Sequence, residues 1–136
     1  MRTATGRYPW RTWAGMVALA IAAGCAAGCA PVPASREKAI EVRAQARWDA
    51  LIAGDLVKAY EFLSPGSREV YTRENYMASV RAGMWKKARV ERVDCAEPDL
   101  CNVVVQIDYV YRGSPISTPL RETWSRSGDE WWFVLK

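Results

Sequence analysis

The chain has 136 residues, four cysteines and no histidine, and its 19 basic and 15 acidic side chains give a formal net charge of +4. A chain without histidine has no histidine general base, no serine–histidine triad and no histidine ligand for a metal. Arg2, Arg7 and Arg11 precede an apolar run. If this N-terminal segment is removed from the mature protein, 16 basic and 15 acidic residues remain. A nearly neutral chain has no general attraction for nucleic acid, so no nucleic-acid partner is predicted.

Residues 13–29 form an apolar run that ends in two successive Ala-Ala-Gly-Cys boxes. A basic segment, a short apolar segment and small residues before a cleavage site are the parts of an export signal. The run is shorter than the roughly 20 apolar residues that span a bilayer. Because a cysteine directly follows the small residues, the segment resembles a bacterial lipoprotein signal. The resemblance implies a signal peptide over residues 1–24 and acyl chains, such as palmitate, on the new N-terminal cysteine.

The two boxes offer two lipidation sites, Cys25 and Cys29. Cys25 abuts the apolar run, whereas processing at Cys29 would leave an even number of cysteines. We favour Cys25, because spacing acts directly on the processing enzyme; a cleaved secretory signal with incidental cysteines is the alternative. The next residue is Ala26 or Ala30. In the lipoproteins that the chain resembles, alanine there implies outer-membrane sorting, so we expect a lipid-anchored protein that faces the periplasm.

Residues 25–34 are expected to form the lipidated N-terminus and a tether. Pro31 and Pro33 favour an extended conformation of about 3.1 Å per residue, which would keep the domain within roughly 30 Å of the headgroups. The lipid anchor is therefore the expected contact with the membrane.

The remaining residues, about 100, are enough for one domain with one core. Ser35 is a suitable N-cap for a first helix, Asp55 for a shorter second helix and Thr72 for a third. Ser64-Pro65 is interpreted as a restart of the chain before the third helix. Apolar side chains recur along the three helices with a period near 3.6. These side chains are Ile40, Ala44, Trp48, Leu51 and Ile52; then Leu56, Tyr60 and Leu63; then Tyr76, Val80 and Met84.

From Trp85 onward the apolar period falls to two, which is typical of half-buried strands. Four strands are predicted, over residues 86–95, 102–111, 117–126 and 130–136. Helices followed by an antiparallel meander predict an α+β fold. We expect N-terminal helices packed on one face of a curved antiparallel sheet of about four strands.

Two segments carry a resemblance to a known superfamily: RWDALIAGDLVKAYEFLSP near the start of the domain and GDEWWFVLK at its end. With helices first and long antiparallel strands afterwards, the chain resembles the NTF2-like (cystatin-like, α+β cone) superfamily over roughly residues 36–136. The resemblance implies one domain over residues 35–136, often with an apolar pocket between helices and sheet. In some members such a pocket is an isomerase or dehydratase site; in many it is a binding or assembly module.

A superfamily isomerase would use a buried Asp or Glu as its base and a Tyr or protonated acid to stabilise the oxyanion. Asp49, Asp108 and Glu122 are the candidate bases. Asp49 and Asp108 are more typical of a solvated polar face. The expected neighbours in the cone are Tyr60, Tyr76 and Tyr109.

Glu122 shares one strand face with Leu120 and Trp124, so burial is expected to act on this carboxyl group. A glutamate on such a face is seldom a catalytic base. More often it is paired with an arginine, such as Arg81 or Arg112, or it lies on the outer face of the sheet. We therefore expect no catalytic residue, no cofactor and no metal.

Aromatic side chains could fill a core or line a ligand pocket. Trp131 and Trp132 must point to opposite faces of a strand, so one of them is expected outside the core, where it would mark a surface for an envelope partner or a homodimer. The candidate pocket residues are Trp48, Tyr60, Tyr76, Tyr109, Glu122 and Trp124.

Cys95 and Cys101 are expected to form a disulfide across the mouth of the first hairpin. Each lies at a strand end, and export would deliver both to an oxidising compartment. A redox pair or a two-thiolate metal site is the alternative.

The one local basic cluster contains Lys86, Lys87, Arg89 and Arg92. Such charges are typical of an edge strand protected from aggregation. Contact with anionic headgroups is the alternative.

The sequence thus favours a membrane-anchored envelope lipoprotein acting as a non-catalytic binding or scaffolding module, with a small apolar pocket whose ligand is not identified. One alternative is a pocket enzyme of isomerase or hydratase type. The other is a subunit of an envelope assembly that docks through its sheet face.

Overall fold

The computed structural model describes residues 35–136. The predicted signal peptide over residues 1–24, and the tether over residues 25–34 with Cys25 and Cys29, lie outside these residues. None of the helices within the described part has the length and hydrophobicity required to span a bilayer.

Four helices precede the sheet, and each begins at a side-chain cap. At the first, the Ser35 hydroxyl accepts a hydrogen bond from the Lys38 backbone N–H at 3.2 Å. This helix ends at Gly54, whose φ of +78° is the left-handed conformation that glycine adopts most readily. The helices are α1 (Arg36–Ala53), α2 (Leu56–Tyr60), α3 (Pro65–Val70) and α4 (Arg73–Ser79).

The helical region differs from the sequence prediction in two respects. Ser64-Pro65 begins a helix, α3, in addition to the three predicted, because the Ser64 hydroxyl caps the Ser67 N–H at 3.1 Å. In addition, α4 ends at Ser79: Val80 has an extended ψ of 123°, so Met84 lies beyond the helix.

The four strands form one antiparallel sheet in the order β1-β2-β3-β4, so the predicted α+β class and meander are confirmed. The strands run further toward their turns than predicted; Glu97, for example, already pairs with Leu100. Register shifts in β1 mark bulges, which bend a strand and curve the sheet. The strands are β1 (Trp85–Glu97), β2 (Leu100–Tyr111), β3 (Ser114–Ser127) and β4 (Glu130–Val134).

Helix α1 is attached to both edges of this sheet by polar side chains. The Gln45 amide donates to the Ala88 carbonyl oxygen and accepts from the Val90 N–H, both at 3.1 Å, along the outer edge of β1. At the other edge, the Arg43 Nε donates to the Trp131 carbonyl oxygen of β4 at 2.8 Å. These bonds satisfy edge groups that would otherwise stay unpaired, and they hold α1 across the sheet.

The core lies between α1 and the inner sheet face. Val103 pairs with Glu122, Cys101 with Trp124, and Trp124 with Phe133, and directly opposed residues share a face. The outer face is polar where Ser117 bridges Gln106 and Asp108. The most completely buried large side chains are Trp48, Trp124, Tyr76, Ile40, Leu51, Leu63, Val103 and Val105.

Trp132 is the member of the tryptophan pair that lies outside the core. Trp131 is buried, whereas Trp132 is half-buried. The guanidinium carbons of Arg43 and Arg68 each lie 4.9 Å from the centroid of a Trp132 ring. Cation–π contacts therefore cover a side chain that the sequence had suggested for a partner surface.

The structure contains the predicted disulfide between Cys95 and Cys101, with Cα atoms 4.1 Å apart. It joins β1 to β2 next to the tight turn at Glu97 and Leu100. The basic cluster of residues 86–92 lies on β1, whose position at the sheet edge agrees with the prediction.

Candidate functional site

A buried ion pair links α1 to β3. Glu122 Oε1 accepts hydrogen bonds from Arg47 Nη1 at 2.7 Å and from Trp48 Nε1 at 2.9 Å. Glu122 Oε2 accepts a third from Trp124 Nε1 at 3.0 Å. Arg47 and Glu122 retain only 6% and 4% of their exposure, so the pair is almost dry.

Local structure explains why these four groups converge. Arg47 and Trp48 are consecutive on α1, and both face the sheet. Glu122 and Trp124 are two residues apart on β3, so they share its inner face. The Arg47 guanidinium carbon also lies 3.7 Å from the centroid of the Phe133 ring, so a cation–π contact with β4 helps to hold the arginine in place.

The carboxylate in this arrangement is a fixed hydrogen-bond acceptor. Both of its oxygens already accept hydrogen bonds from N–H groups, and the bond from the Arg47 guanidinium is charge-assisted, which makes it shorter and stronger than a neutral one. The arginine partners suggested from the sequence, Arg81 and Arg112, were wrong, because neither reaches Glu122. The partner is Arg47, which the helix places directly beneath β3.

A cavity of about 580 Å³ opens beside the ion pair, between α1, α4 and β3. This volume lies in the range of about 300–1,000 Å³ that is typical of small-molecule sites. Trp48 and Trp85 meet edge to face at one wall, with ring centroids 5.6 Å apart. The apolar walls are Trp48, Leu51, Val80, Met84, Trp85, Leu120, Phe133 and Leu135.

The cavity exists because β4 stops early. The last paired residue of β4, Val134, lies opposite Thr123, so the preceding part of β3 is paired with β2 on one side and has no strand on its other side. Leu120 is consequently 39% exposed although it shares a face with Glu122. The end of β4 therefore creates the opening of the cavity.

Two buried polar atoms at the cavity have no hydrogen-bond partner among the described residues: the Tyr76 hydroxyl and Arg47 Nε. Tyr76 is 1% exposed, and burial raises the pKa of its hydroxyl, an effect that the nearby Arg47 charge partly opposes. Leaving buried donors unpaired costs free energy, so a ligand that supplied an acceptor would recover it.

The candidate pocket residues divide into two groups. Trp48, Tyr76 and Glu122 line the cavity. Trp124 and Tyr60 support it without lining it: Trp124 binds Glu122, and the Tyr60 ring packs 5.6 Å from that of Tyr76.

The other predicted site residues lie apart from the cavity. Tyr109 is opposite Trp85 at the far end of β2 and borders a separate, shallow depression. Asp49 is exposed and binds Gln45, and Asp108 lies on the outer sheet face. These two carboxyl groups occupy the solvated polar positions expected of them.

Arg47 is the site residue that sequence reasoning missed. It lies three residues after Ala44 and four before Leu51, on the apolar stripe of α1. An arginine on an apolar stripe needs an anionic partner, and Glu122 is likewise a charged residue on an apolar strand face. Pairing the arginine of the helix with the glutamate of the strand would have predicted the site.

Comparisons with known proteins bear on the fold. No family model matches the chain, and no curated protein matches it. Among solved structures, a SEC-C motif protein from Rhodopseudomonas palustris is similar, with a TM-score of 0.56 and 16% identity over 70% of this chain and 74% of that protein. A SEC-C motif protein from Psychrobacter arcticus has a TM-score of 0.59 and 11% identity, over 74% of this chain. This chain spans only 61% of that protein's length.

A third similar structure is a proposed NTF2-like transpeptidase from Campylobacter jejuni. It has a TM-score of 0.54 and 13% identity over 71% of this chain and 98% of that protein. At these identities the likeness concerns architecture alone. The described residues, 35–136, have an NTF2-like fold.

Proposed function

We propose that the protein is an envelope lipoprotein, anchored in the outer membrane through Cys25, whose NTF2-like domain binds a small apolar ligand without converting it. The observation that supports binding is the cavity of about 580 Å³ beside the Arg47–Glu122 pair. The lipid anchor is supported by the Ala-Ala-Gly-Cys boxes of the sequence.

We infer that the ligand is not converted because the groups that could act as a base or a nucleophile are already engaged in other contacts. A general base must be directed at its substrate, whereas three hydrogen bonds hold the Glu122 carboxylate toward Arg47, Trp48 and Trp124. Cys95 and Cys101, the cysteines within the described residues, are joined in a disulfide and supply no thiolate. The cavity therefore offers shape and fixed charge.

An enzyme of isomerase or hydratase type is the second candidate. It is favoured by the unpaired Tyr76 hydroxyl, since a buried tyrosine donor can stabilise an oxyanion. The name of the Campylobacter jejuni protein also points to chemistry on this fold. Such an enzyme would require Glu122 to exchange Arg47 for a substrate, which would break a buried ion pair.

Assembly through the sheet face has less support. The outer face carries the Gln106, Ser117 and Asp108 hydrogen bonds, and Trp132 is covered by arginines. On this face of the described sheet, the exposed large apolar side chains are Val110, at 45%, and Leu100, at 36%, and they lie near opposite ends of β2. A docking interface normally has a broader apolar centre.

Blocking the cavity tests the proposed function. Val80→Trp would place an indole at the cavity wall, whereas Val57→Trp adds the same group at a position on α2 that is 41% exposed. The full chain and both variants would be isolated from the envelope and examined by native mass spectrometry for bound small molecules.

We expect a bound molecule in the full chain and in Val57→Trp, and its loss in Val80→Trp with the melting temperature retained. Equal occupancy in all three proteins would refute binding in this cavity. A molecule recovered in a chemically altered form would favour the enzyme.

A further inference from the structure

The mouth of the cavity is cationic. Three basic residues border it: Arg81 just after α4, Arg121 on β3 and Lys136 just after β4. All three are exposed, and none forms an ion pair with another described residue. Other exposed basic residues, such as Lys58 and Arg112, also form no ion pair with a described residue, so the feature specific to these three is their position around one apolar cavity.

The interior of the cavity does not balance these charges. Glu122 is the one acidic residue among those that line the cavity, and Arg47 neutralises it at 2.7 Å. The side chains that line the cavity therefore carry an excess positive charge, located at its opening. Low-dielectric walls strengthen the field of such charges toward an approaching ligand.

We infer that the ligand is an anionic amphiphile: an apolar chain with an anionic head. The chain would lie against Leu51, Val80 and Phe133, and the head would lie at the mouth near Arg81 and Lys136. The strand alternation places Arg121 on the opposite face of β3 from Glu122, so Arg121 contributes through its field. This inference rests on the proposed binding function, which it makes chemically specific.

A neutral or cationic ligand fits the same observations less well. A neutral ligand would leave the mouth cations without a partner, and a cationic one would be repelled by them. A fatty acid and a phospholipid both carry an anionic head on an apolar chain. The experiment must therefore distinguish a carboxylate head from a phosphate head.

The test uses three probes that each contain a linear chain of ten carbons: decanoate, decanol and decyltrimethylammonium. The full chain, reconstituted in zwitterionic phosphatidylcholine nanodiscs, would be titrated with each probe, with empty nanodiscs as the blank. Tryptophan fluorescence reports binding, because Trp48 and Trp85 line the cavity. Decyl phosphate in a fourth titration separates a phosphate head from a carboxylate head.

We expect decanoate to bind about tenfold more tightly than decanol, and decyltrimethylammonium not to bind. Arg81→Gln should weaken decanoate about three- to fivefold, as is typical of an exposed charge, and leave decanol unchanged. Arg112→Gln is the matched control, since Arg112 lies in the β2–β3 turn outside the cavity lining. It should leave both affinities unchanged.

Each other result overturns the inference. Equal binding of decanoate and decanol would leave the cavity as a binding site but remove the anionic preference. An equal loss in Arg81→Gln and Arg112→Gln would show a general surface effect. Binding of none of the probes would refute the amphiphile, whereas the proposed function would still be decided by the Val80→Trp comparison.

Discussion

Among residues 35–136, Arg47 and Glu122 are the charged residues that are fully buried. Removing two charges from water is expensive, and their attraction repays that cost only when the remaining polar atoms also find partners. Trp48 and Trp124 supply those partners on the acid side. Arg47 Nε, by contrast, has no hydrogen-bond partner among the described residues. The hydrogen bonds of the ion pair are therefore satisfied on the glutamate side and incomplete on the arginine side, next to the cavity.

Glu122→Gln should destabilise the domain by about 3 kcal/mol, because it leaves the Arg47 charge buried and turns an amide N–H toward one of its donors. Chemical denaturation of the full chain measures this loss. Glu130→Gln is the control: Glu130 forms an exposed ion pair with Arg43 at 3.8 Å, and its loss should cost less than about 1 kcal/mol.

The double variant Arg47→Met/Glu122→Gln separates the ion pair from the packing around it. It should be clearly less destabilised than the two single variants added together, since neither charge is then left alone. Additive losses, or a Glu122→Gln variant as stable as the parent, would contradict the role of the pair.

Tyr76→Phe should leave the free energy of unfolding at neutral pH within about 1 kcal/mol or raise it, because the buried hydroxyl has no partner to lose. Burial raises the pKa of Tyr76 in the folded state. Above about pH 10, the ordinary tyrosine pKa, the unfolded chain therefore loses this proton while the folded chain keeps it. Stability must then fall as the pH rises, and Tyr76→Phe should reduce that slope.

Unfolding of the parent and the variant would be followed by denaturant titration between pH 8 and 11. Tyr111→Phe, which removes a hydroxyl from a side chain that is 55% exposed, should keep the parent slope. Identical slopes for the parent and Tyr76→Phe would show that the Tyr76 hydroxyl is not buried in solution.

At the scale of the elements, the β1–β2 hairpin forms one edge of the sheet, with β1 outermost. Its strands are closed by a disulfide that spans six residues of sequence. The chain-entropy model gives so short a loop a stabilisation of only about 2 kcal/mol. Strand β1 also pairs with β2 over most of its length and is bound by Gln45 from α1, so the hairpin does not depend on the crosslink alone.

Cys95→Ala/Cys101→Ala should therefore lower the free energy of unfolding by about 2 kcal/mol and leave a folded protein. Denaturation followed by far-ultraviolet circular dichroism measures both the loss and the retained fold. Cys29→Ala is the control, because Cys29 lies outside the described residues. It should leave the free energy of unfolding unchanged. An unfolded double variant would show that the crosslink is required for the fold.

Sequence periodicity predicted the elements well where each had one apolar face. The stripe through Ile40, Trp48 and Leu51 specified α1, and alternation specified β2 and β3. Short elements were less predictable: the six residues of α3 depend on a serine cap and on contact with β4, which periodicity does not register.

At the scale of the whole molecule, the fold class followed from the order of the elements, whereas the site did not. Trp48, Tyr76 and Glu122 were identified because they lie on apolar faces. The cavity itself depends on where β4 ends relative to β3, and a pairing register is a long-range property. The cations at the mouth come from three separate elements, so only the folded chain brings Arg81 and Lys136 to one opening.

The proposed anchor would determine what such an opening meets. A domain that is tethered to a bilayer in this way would encounter amphiphiles at high local concentration, which suits a cavity with apolar walls and a cationic mouth. Cys25→Ser should abolish acylation and release the protein from the outer-membrane fraction, because the thiol that we propose as the lipidation site is lost. Intact-mass analysis of the parent should show a chain that begins at Cys25 and carries acyl chains.

Cys29→Ser is the matched control, since it changes the second Ala-Ala-Gly-Cys box and leaves the first intact. It should keep both the acylated mass and the membrane location. Acylation that survives in Cys25→Ser and disappears in Cys29→Ser would assign the anchor to Cys29. A parent protein that is cleaved but carries no lipid would identify the segment as a secretory signal, and the cavity would then act on amphiphiles free in the periplasm.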